Sequence, residues 1–236
     1  LHSALYNKSI GINILELLIT PEVFTTVDID GNTPLHSAIF KSFDINIIKF
    51  LINQEVLLLT TSSGNFTPLS ISICTITNIN IIKLLITPEV LTTKDWIDRN
   101  PLHMALELKK PIRIIKLLII PEVLTITNKI KQIPLHIALN KRMSTNIVKL
   151  LITPETLTMK DNSGSPPLHI ACRKNYNDDI IDLLIIPELL SLKTRNGGTP
   201  LHISLQEDKT IGENIIKKLI TRKLLTERYK DGSTPL

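Results

Sequence analysis

Apolar residues recur along the chain in pairs of short blocks. Between Gly164 and Asn196, Leu168, Ala171 and Cys172 stand at i, i+3 and i+4, the spacing that gathers side chains on one face of a helix. The polar run Arg173 to Asp178 interrupts that face. Asp179-Ile180-Ile181-Asp182-Leu183-Leu184-Ile185 then carries a second apolar stripe, matched by Asn146 to Ile152 and Asn80 to Ile86. Pro187 disfavours helix at the residue before it, so the second helix ends there. Pro-Glu-Leu-Leu adds a turn before an extended segment reaches a Gly-containing tip. At the other end, Pro167 falls in the first turn of the first helix, where its missing amide proton costs nothing. In other copies Thr33, Thr67, Thr199 and Thr234 stand just before the proline and offer a capping hydroxyl. The pattern predicts helix, turn, helix and hairpin-like loop.

That unit repeats. The pairs Pro34-Leu35, Pro68-Leu69, Pro101-Leu102, Pro134-Leu135, Pro167-Leu168, Pro200-Leu201 and Pro235-Leu236 succeed one another at 33 to 35 residues, with Leu1-His2 as a truncated first copy. A second proline series, Pro21, Pro88, Pro121, Pro154 and Pro187, keeps the same period, with Gln54 and Arg222 in its gaps. Two short helices are marginal in water, so each copy must bury its apolar faces against its neighbours in one continuous core. The chain is expected to be a single domain, 1–236: a partial repeat 1–30, repeats 31–63, 64–97, 98–130, 131–163, 164–196 and 197–231, and a partial repeat 232–236. Both ends fall inside a repeat, as in a fragment of a longer protein.

At Thr33-Pro34-Leu35-His36-Ser37-Ala38 the chain resembles the Thr-Pro-Leu-His-x-Ala signature of ankyrin repeats, whose period is also 33. The resemblance covers the whole chain. It implies an all-α solenoid of antiparallel helix pairs with projecting hairpins, and protein recognition through hairpin tips and the inner-helix face. It implies no catalysis. The copies depart from the signature at several places: Thr-Pro-Glu or Ile-Pro-Glu replaces the usual Gly-Ala after the outer helix, Ser70 takes the histidine position, and Asn100, Ile133 and Pro166 take the threonine position. Three residues before the proline, Gly31, Gly164, Gly197 and Gly232 supply positive φ, and Asn65 and Asp98 tolerate it. Lys131 does so poorly, so the hairpin around it is expected to be the least regular.

Composition narrows the chemistry. Of 236 residues 43% are hydrophobic but only 4% aromatic, and isoleucine occurs 39 times, so the core is aliphatic and β-branched. No apolar run approaches the length of a membrane span, and no signal segment opens the chain. Cys74 and Cys172 belong to no metal-binding pair and suit a reducing, cytoplasmic setting, which becomes host cytoplasm if the source is a parasite or virus. No phosphate loop, nucleophile elbow or zinc motif occurs. His2, His36, His103, His136, His169 and His202 share one repeat position, which argues for imidazoles bonded to the cap and backbone rather than for metal ligands. We expect no cofactor, metal, small-molecule substrate or catalytic residue.

Charge is uneven. Residues 1–93 carry four basic and seven acidic side chains, and residues 94–195 carry sixteen and ten. Lys109, Lys110, Lys141, Arg142, Arg173 and Lys174 come just after the inner-helix motif in three consecutive copies. Arg99, Lys131 and Arg195 add charge near the hairpin tips, where Trp96 is the one tryptophan. These ten residues are the candidate partner-binding set, against an acidic protein surface. The alternative is a solvated face compensated by nearby acids. Nucleic acid fits less well, with no arginine-rich tract and almost no stacking aromatics. A regulatory arm of a larger enzyme or channel, and an effector acting on host proteins, stay open. Lys218 takes a position that is leucine in four other outer helices, and Arg222-Lys223 replaces Pro-Glu, which together suggest an approaching solvent-exposed end.

Overall fold

The computed structural model describes residues 1–5, 11–18, 20–75, 78–205, 213–220, 224–230 and 232–234; Arg222-Lys223 and Pro235-Leu236 lie outside them. Among the described residues every regular element is helical and there is no β-strand. The chain divides into two compact units, Leu1–Val123 and Leu124–Leu236.

In the first unit the inner helices are His2–Leu5, Pro34–Phe40, Pro68–Thr75 and Pro101–Glu107. Pro34–Phe40 packs on Pro68–Thr75, which packs on Pro101–Glu107. Each is succeeded by an outer helix: Ile12–Leu18, Ile45–Leu51, Ile79–Leu85, and Ile112–Ile115 continued as a 3-10 turn Lys116–Leu118. In the second unit Pro134–Asn140, Pro167–Arg173 and Pro200–Leu205 stack in the same manner, with Thr145–Leu151, Asp178–Leu184 and Glu213–Leu219 behind them. The signature leucines Leu35, Leu69, Leu102, Leu135 and Leu168 are wholly buried, as are Ile48, Ile82, Ile115, Val148 and Ile181 of the outer helices. Each such side chain contributes roughly 2 kcal/mol by leaving water, which supplies the stability that seven-residue helices lack by themselves.

Proline decides how the chain leaves the outer helix. Pro88–Thr92, Pro154–Thr158 and Pro187–Leu190 form short α-turns opened by the fixed φ of proline, and Pro21–Thr25 and Pro121–Thr125 form 3-10 turns. Where Gln54 replaces the proline, residues 54–58 make turns only.

The inter-helix turns close by one device. The amides of Phe43, Lys110, Met143 and Tyr176 donate to the carbonyls of Ala38, Ala105, Ala138 and Ala171 at 2.9 to 3.1 Å, while Ser42, Lys109, Arg142 and Asn175 adopt φ between 50° and 58°. This is a six-to-one helix cap around a left-handed residue. Phe43, Met143 and Tyr176 turn inward at the end of it, each 8% exposed.

Four of the hairpins close by one further device, while Thr61 and Thr194 take its place in two others. A side-chain oxygen of Asp28, Asp95, Asn128 or Asp161 accepts from the backbone amides two and four residues on, as at Asn128 with Ile130 (3.1 Å) and Gln132 (2.9 Å). The hairpin at Lys131 therefore departs from the expectation of irregularity: Lys131 takes φ 57°, beside 76° for Gly31 and 75° for Gly164, and donates to Asn128 O at 2.9 Å. The side chain of Asn128 and the bond from Asn162 N to Ile130 O (3.0 Å) hold the turn that lysine alone disfavours.

Lys218, at the leucine position, has a side chain that is 32% exposed, and its Nζ lies 2.6 Å from Asp182 and 3.6 Å from Asp178 on the preceding outer helix. The leucines at this position, Leu84, Leu117, Leu150 and Leu183, are likewise not fully buried, so lysine fits without deep desolvation.

Candidate protein-binding surface

The histidines stand between the stacked copies. His36 is fully buried; its Nδ1 lies 2.8 Å from Thr33 Oγ1 and accepts from Thr33 N (3.2 Å), and its Nε2 donates to Phe66 O of the next hairpin at 3.0 Å. His136 Nε2 bonds Ser165 O (3.1 Å), and His169 Nε2 bonds Leu192 O (3.0 Å) and Gly198 O (3.2 Å). Burial holds the imidazoles neutral: His36 and His169 are pushed down to about 4, and His136 is lowered in the same direction. His103 and His202 are buried in the same place, against Asn100 and Thr199. No group of three His, Cys, Asp or Glu among the described residues is placed to hold a metal ion.

The threonine substitutions have visible consequences. Asn100 caps as threonine does, its Oδ1 accepting from His103 N at 2.9 Å. Ile133 has no capping atom, but its amide still donates to His136 Nδ1 at 3.2 Å. Pro166 has neither hydroxyl nor amide proton, and His169 Nδ1 is left buried without a partner.

The ten candidate surface residues separate into engaged and open groups. Arg99 is engaged: its guanidinium lies 2.7 Å from the buried carboxylate of Asp95 and 2.5 Å from Glu107, so two acids neutralise it within the first unit. Lys109 is exposed at a left-handed position and Lys110 is half-buried beside it. In the second unit Lys141 is exposed on one inter-helix turn and Arg173 is exposed at the end of the next inner helix, with Lys174 half-buried on the turn after it. Arg142 is exposed but fixed: its guanidinium donates to Lys174 O of the next turn and sits 5.6 Å from the centre of the Tyr176 ring. Tyr176 is anchored in turn by its hydroxyl, which donates to Leu139 O at 2.8 Å. Arg173 lies 3.4 Å from Ser165 Oγ. Among the described residues Lys141 has no carboxylate partner.

At the tips the hairpins are tied in series by backbone bonds. In the first unit Ser62 N donates to Asp30 O (2.9 Å) and Trp96 N to Gly64 O (3.1 Å); in the second, Arg195 N donates to Ser163 O (2.9 Å) and Lys230 N to Asn196 O (3.1 Å). Trp96 is 58% exposed, and Lys131 and Arg195 are exposed as well. Sequence reasoning missed two features here. Tyr176 looked like part of a polar turn, although an aromatic at the position of Phe43 and Met143 was available as a signal. The exposed Phe40 and Ile29, at 65% and 99%, lie in the segment of low basic charge, outside the candidate set.

A sequence profile described as ankyrin repeats, three copies, matches residues 1–95 and 102–191. The chain belongs to the ankyrin-repeat family. Among solved structures, the crystal structure of the ankyrin repeat domain of Bcl-3, a member of the IkappaB protein family, is similar at 20% identity and a TM-score of 0.64, covering 87% of this chain and 93% of that one. At that identity the likeness is one of fold. No curated protein sequence matches the chain. Ankyrin repeats are a non-catalytic, protein-binding fold, and no helix among the described residues is long and apolar enough to cross a membrane.

Proposed function

We propose that the chain is a non-catalytic scaffold whose second unit docks an acidic surface of a partner protein through Lys141, Arg142, Arg173 and Lys174. The observation that supports this is the repetition of exposed cations at and just before consecutive inter-helix turns, with no acidic side chain between Lys131 and Asn140 or between Lys141 and Thr153. A turn-borne charge sits on a backbone fixed by its cap, so little order is lost when it meets an opposite charge. Arg142 is fixed further by Tyr176. Lys131 and Arg195 extend the positive field toward the hairpins of the same unit, and Lys109 and Lys110 repeat it on the first.

The test is a titration of the whole chain with a polyglutamate peptide and with a single-stranded oligonucleotide of equal charge. Replacing Lys141, Arg142, Arg173 and Lys174 by Glu is expected to abolish polyglutamate binding, and the native affinity is expected to fall with added salt. Unchanged binding by the reversed chain rejects this surface. Tighter, steeply salt-dependent binding of the oligonucleotide favours nucleic acid instead.

A further inference from the structure

The outer helices of the first unit carry a feature that neither the inner face nor the histidines use. Lys49, Lys83 and Lys116 hold the same position in three consecutive outer helices, Ile45–Leu51, Ile79–Leu85 and Ile112–Ile115 with its 3-10 continuation. Six residues on, just past the end of each helix, stand Glu55, Glu89 and Glu122. All six are exposed, and among the described residues the ion pairs of this unit involve Arg99 instead. Packed helices lie roughly 10 Å apart, so equal positions in stacked copies make a row of cations and, alongside it, a row of anions. Between the rows in sequence come Phe50, Leu84 and Leu117, then Ile52, Ile86 and Ile119, all half-buried. Between the first two of these helices Ile45, Lys49, Asn80, Lys83 and Leu84 line an open groove of about 320 Å³. Apolar side chains left partly in water between two charged borders have the makeup of an interface, apolar inside and polar at the rim.

The signs of the rows decide what fits. A surface of one charge, such as an anionic bilayer or a nucleic-acid strand, would be attracted by one row and repelled by the other. Two parallel rows of opposite sign are instead complementary to themselves. A second copy turned over by half a turn about an axis along the rows sets its lysines against these glutamates and its glutamates against these lysines. Such an isologous contact closes on a dimer. The surface has a definite extent. In the first copy the lysine position is Glu16, which would face a second Glu22, and in the second unit Lys149 and Glu155 keep the pattern for a single copy, because Asp182 follows and is engaged by Lys218.

We propose that the outer face of the first unit binds a second copy of this chain as a two-fold dimer, the lysine row of each copy lying on the glutamate row of the other. Exposed ion pairs are individually weak, so the half-buried side chains between the rows supply cohesion while the rows set orientation and register. The dimer does not depend on what the cations of the second unit bind.

Sedimentation of the whole chain at rising concentration measures it. A reversible dimer is expected at low salt, dissociating in about 1 M salt, where charges are screened beyond about 3 Å. The triple variant Lys49→Glu, Lys83→Glu, Lys116→Glu and the triple variant Glu55→Lys, Glu89→Lys, Glu122→Lys should each keep the native thermal melt in dilute solution and weaken self-association roughly tenfold or more. Mixed in equal amounts they should form a dimer again, since each supplies the row that the other lacks. Reversing Lys141, Arg142, Arg173 and Lys174 should leave the native dimer intact, which separates this face from the cationic turns. A chain that stays monomeric at about 100 μM, a dimer that survives either triple reversal, one that the four-residue reversal dissolves, or a mixture of the triple variants that does not associate overturns the proposal.

Discussion

The two units build one geometry from residues of unequal local quality. In the first, Thr33, Thr67 and Asn100 cap the inner helices and Gly31 occupies a left-handed hairpin position. In the second, Thr199 caps its helix and Gly164 and Gly197 hold two left-handed hairpin positions. Ile133 and Pro166, however, give no capping atom and Lys131 takes the left-handed position of one hairpin, yet the helices begin at the same place and that hairpin closes with the same bonds. Local propensity is therefore not what holds the second unit in register. Stacking of wholly buried leucines and the histidine bonds from one copy to the next hairpin are sufficient. Freed from that task, the surface positions diverge: an exposed Phe40 and two rows of opposite charge in the first unit, a series of cations in the second.

Acid should expose the part that both units share. Burial places His36 and His169 at about 4, below the ordinary value of an unfolded histidine, so the fold favours the neutral ring. The resulting stability is fully present above about pH 6.5 and is lost as pH falls from there toward 4, on the order of 3 kcal/mol per histidine. Urea unfolding at pH 7 and pH 5 measures it. Equal stability at the two values would mean that the imidazoles do not staple the copies.

Gly31→Ala tests how far the first unit depends on its better residues. A Cβ there would stand 2.3 Å from Ser62 Oγ and 2.5 Å from Ser62 N, at φ 76°. The substitution is expected to destabilise by about 2 to 4 kcal/mol, readable as a lower urea midpoint. A change below about 0.5 kcal/mol would show the hairpins to be as tolerant in the first unit as at Lys131.

Pro166→Thr restores in the second unit what the first already has. It supplies a hydroxyl and an amide proton to the unpartnered His169 Nδ1, and is expected to stabilise by about 1 kcal/mol after the loss of proline rigidity. A destabilised variant would show that the orphan nitrogen carries little weight. The smallest effect is expected from Lys131→Gly, a gain of up to about 1 kcal/mol in thermal or urea unfolding from relieving a left-handed lysine.

Much of the site's framework was readable from residue types. The Pro-Leu series located the six inner helices from Pro34–Phe40 to Pro200–Leu205, because proline and an apolar stripe act over four residues and need no distant partner. The αL caps at Lys109 and Arg142 were not readable, since lysine and arginine give no local sign of positive φ; the turn closes when the amide of the next residue donates to an alanine carbonyl five residues back. Arg99 looked like a free tip charge because its acids lie four residues before and eight after it, brought together only when hairpin and helix pack.

By itself, then, the sequence determined the repeat, the order of helices within it and the identity of the buried faces, all of which stem from short-range periodicity. Tertiary structure decided which charges are neutralised, which are pinned by a neighbour such as Tyr176, and which, as in the rows of Lys49 and Glu55, are left open. Those outcomes depend on contacts between residues distant in sequence, and the strength of a charge or an apolar side chain at a surface is set by what stands opposite it.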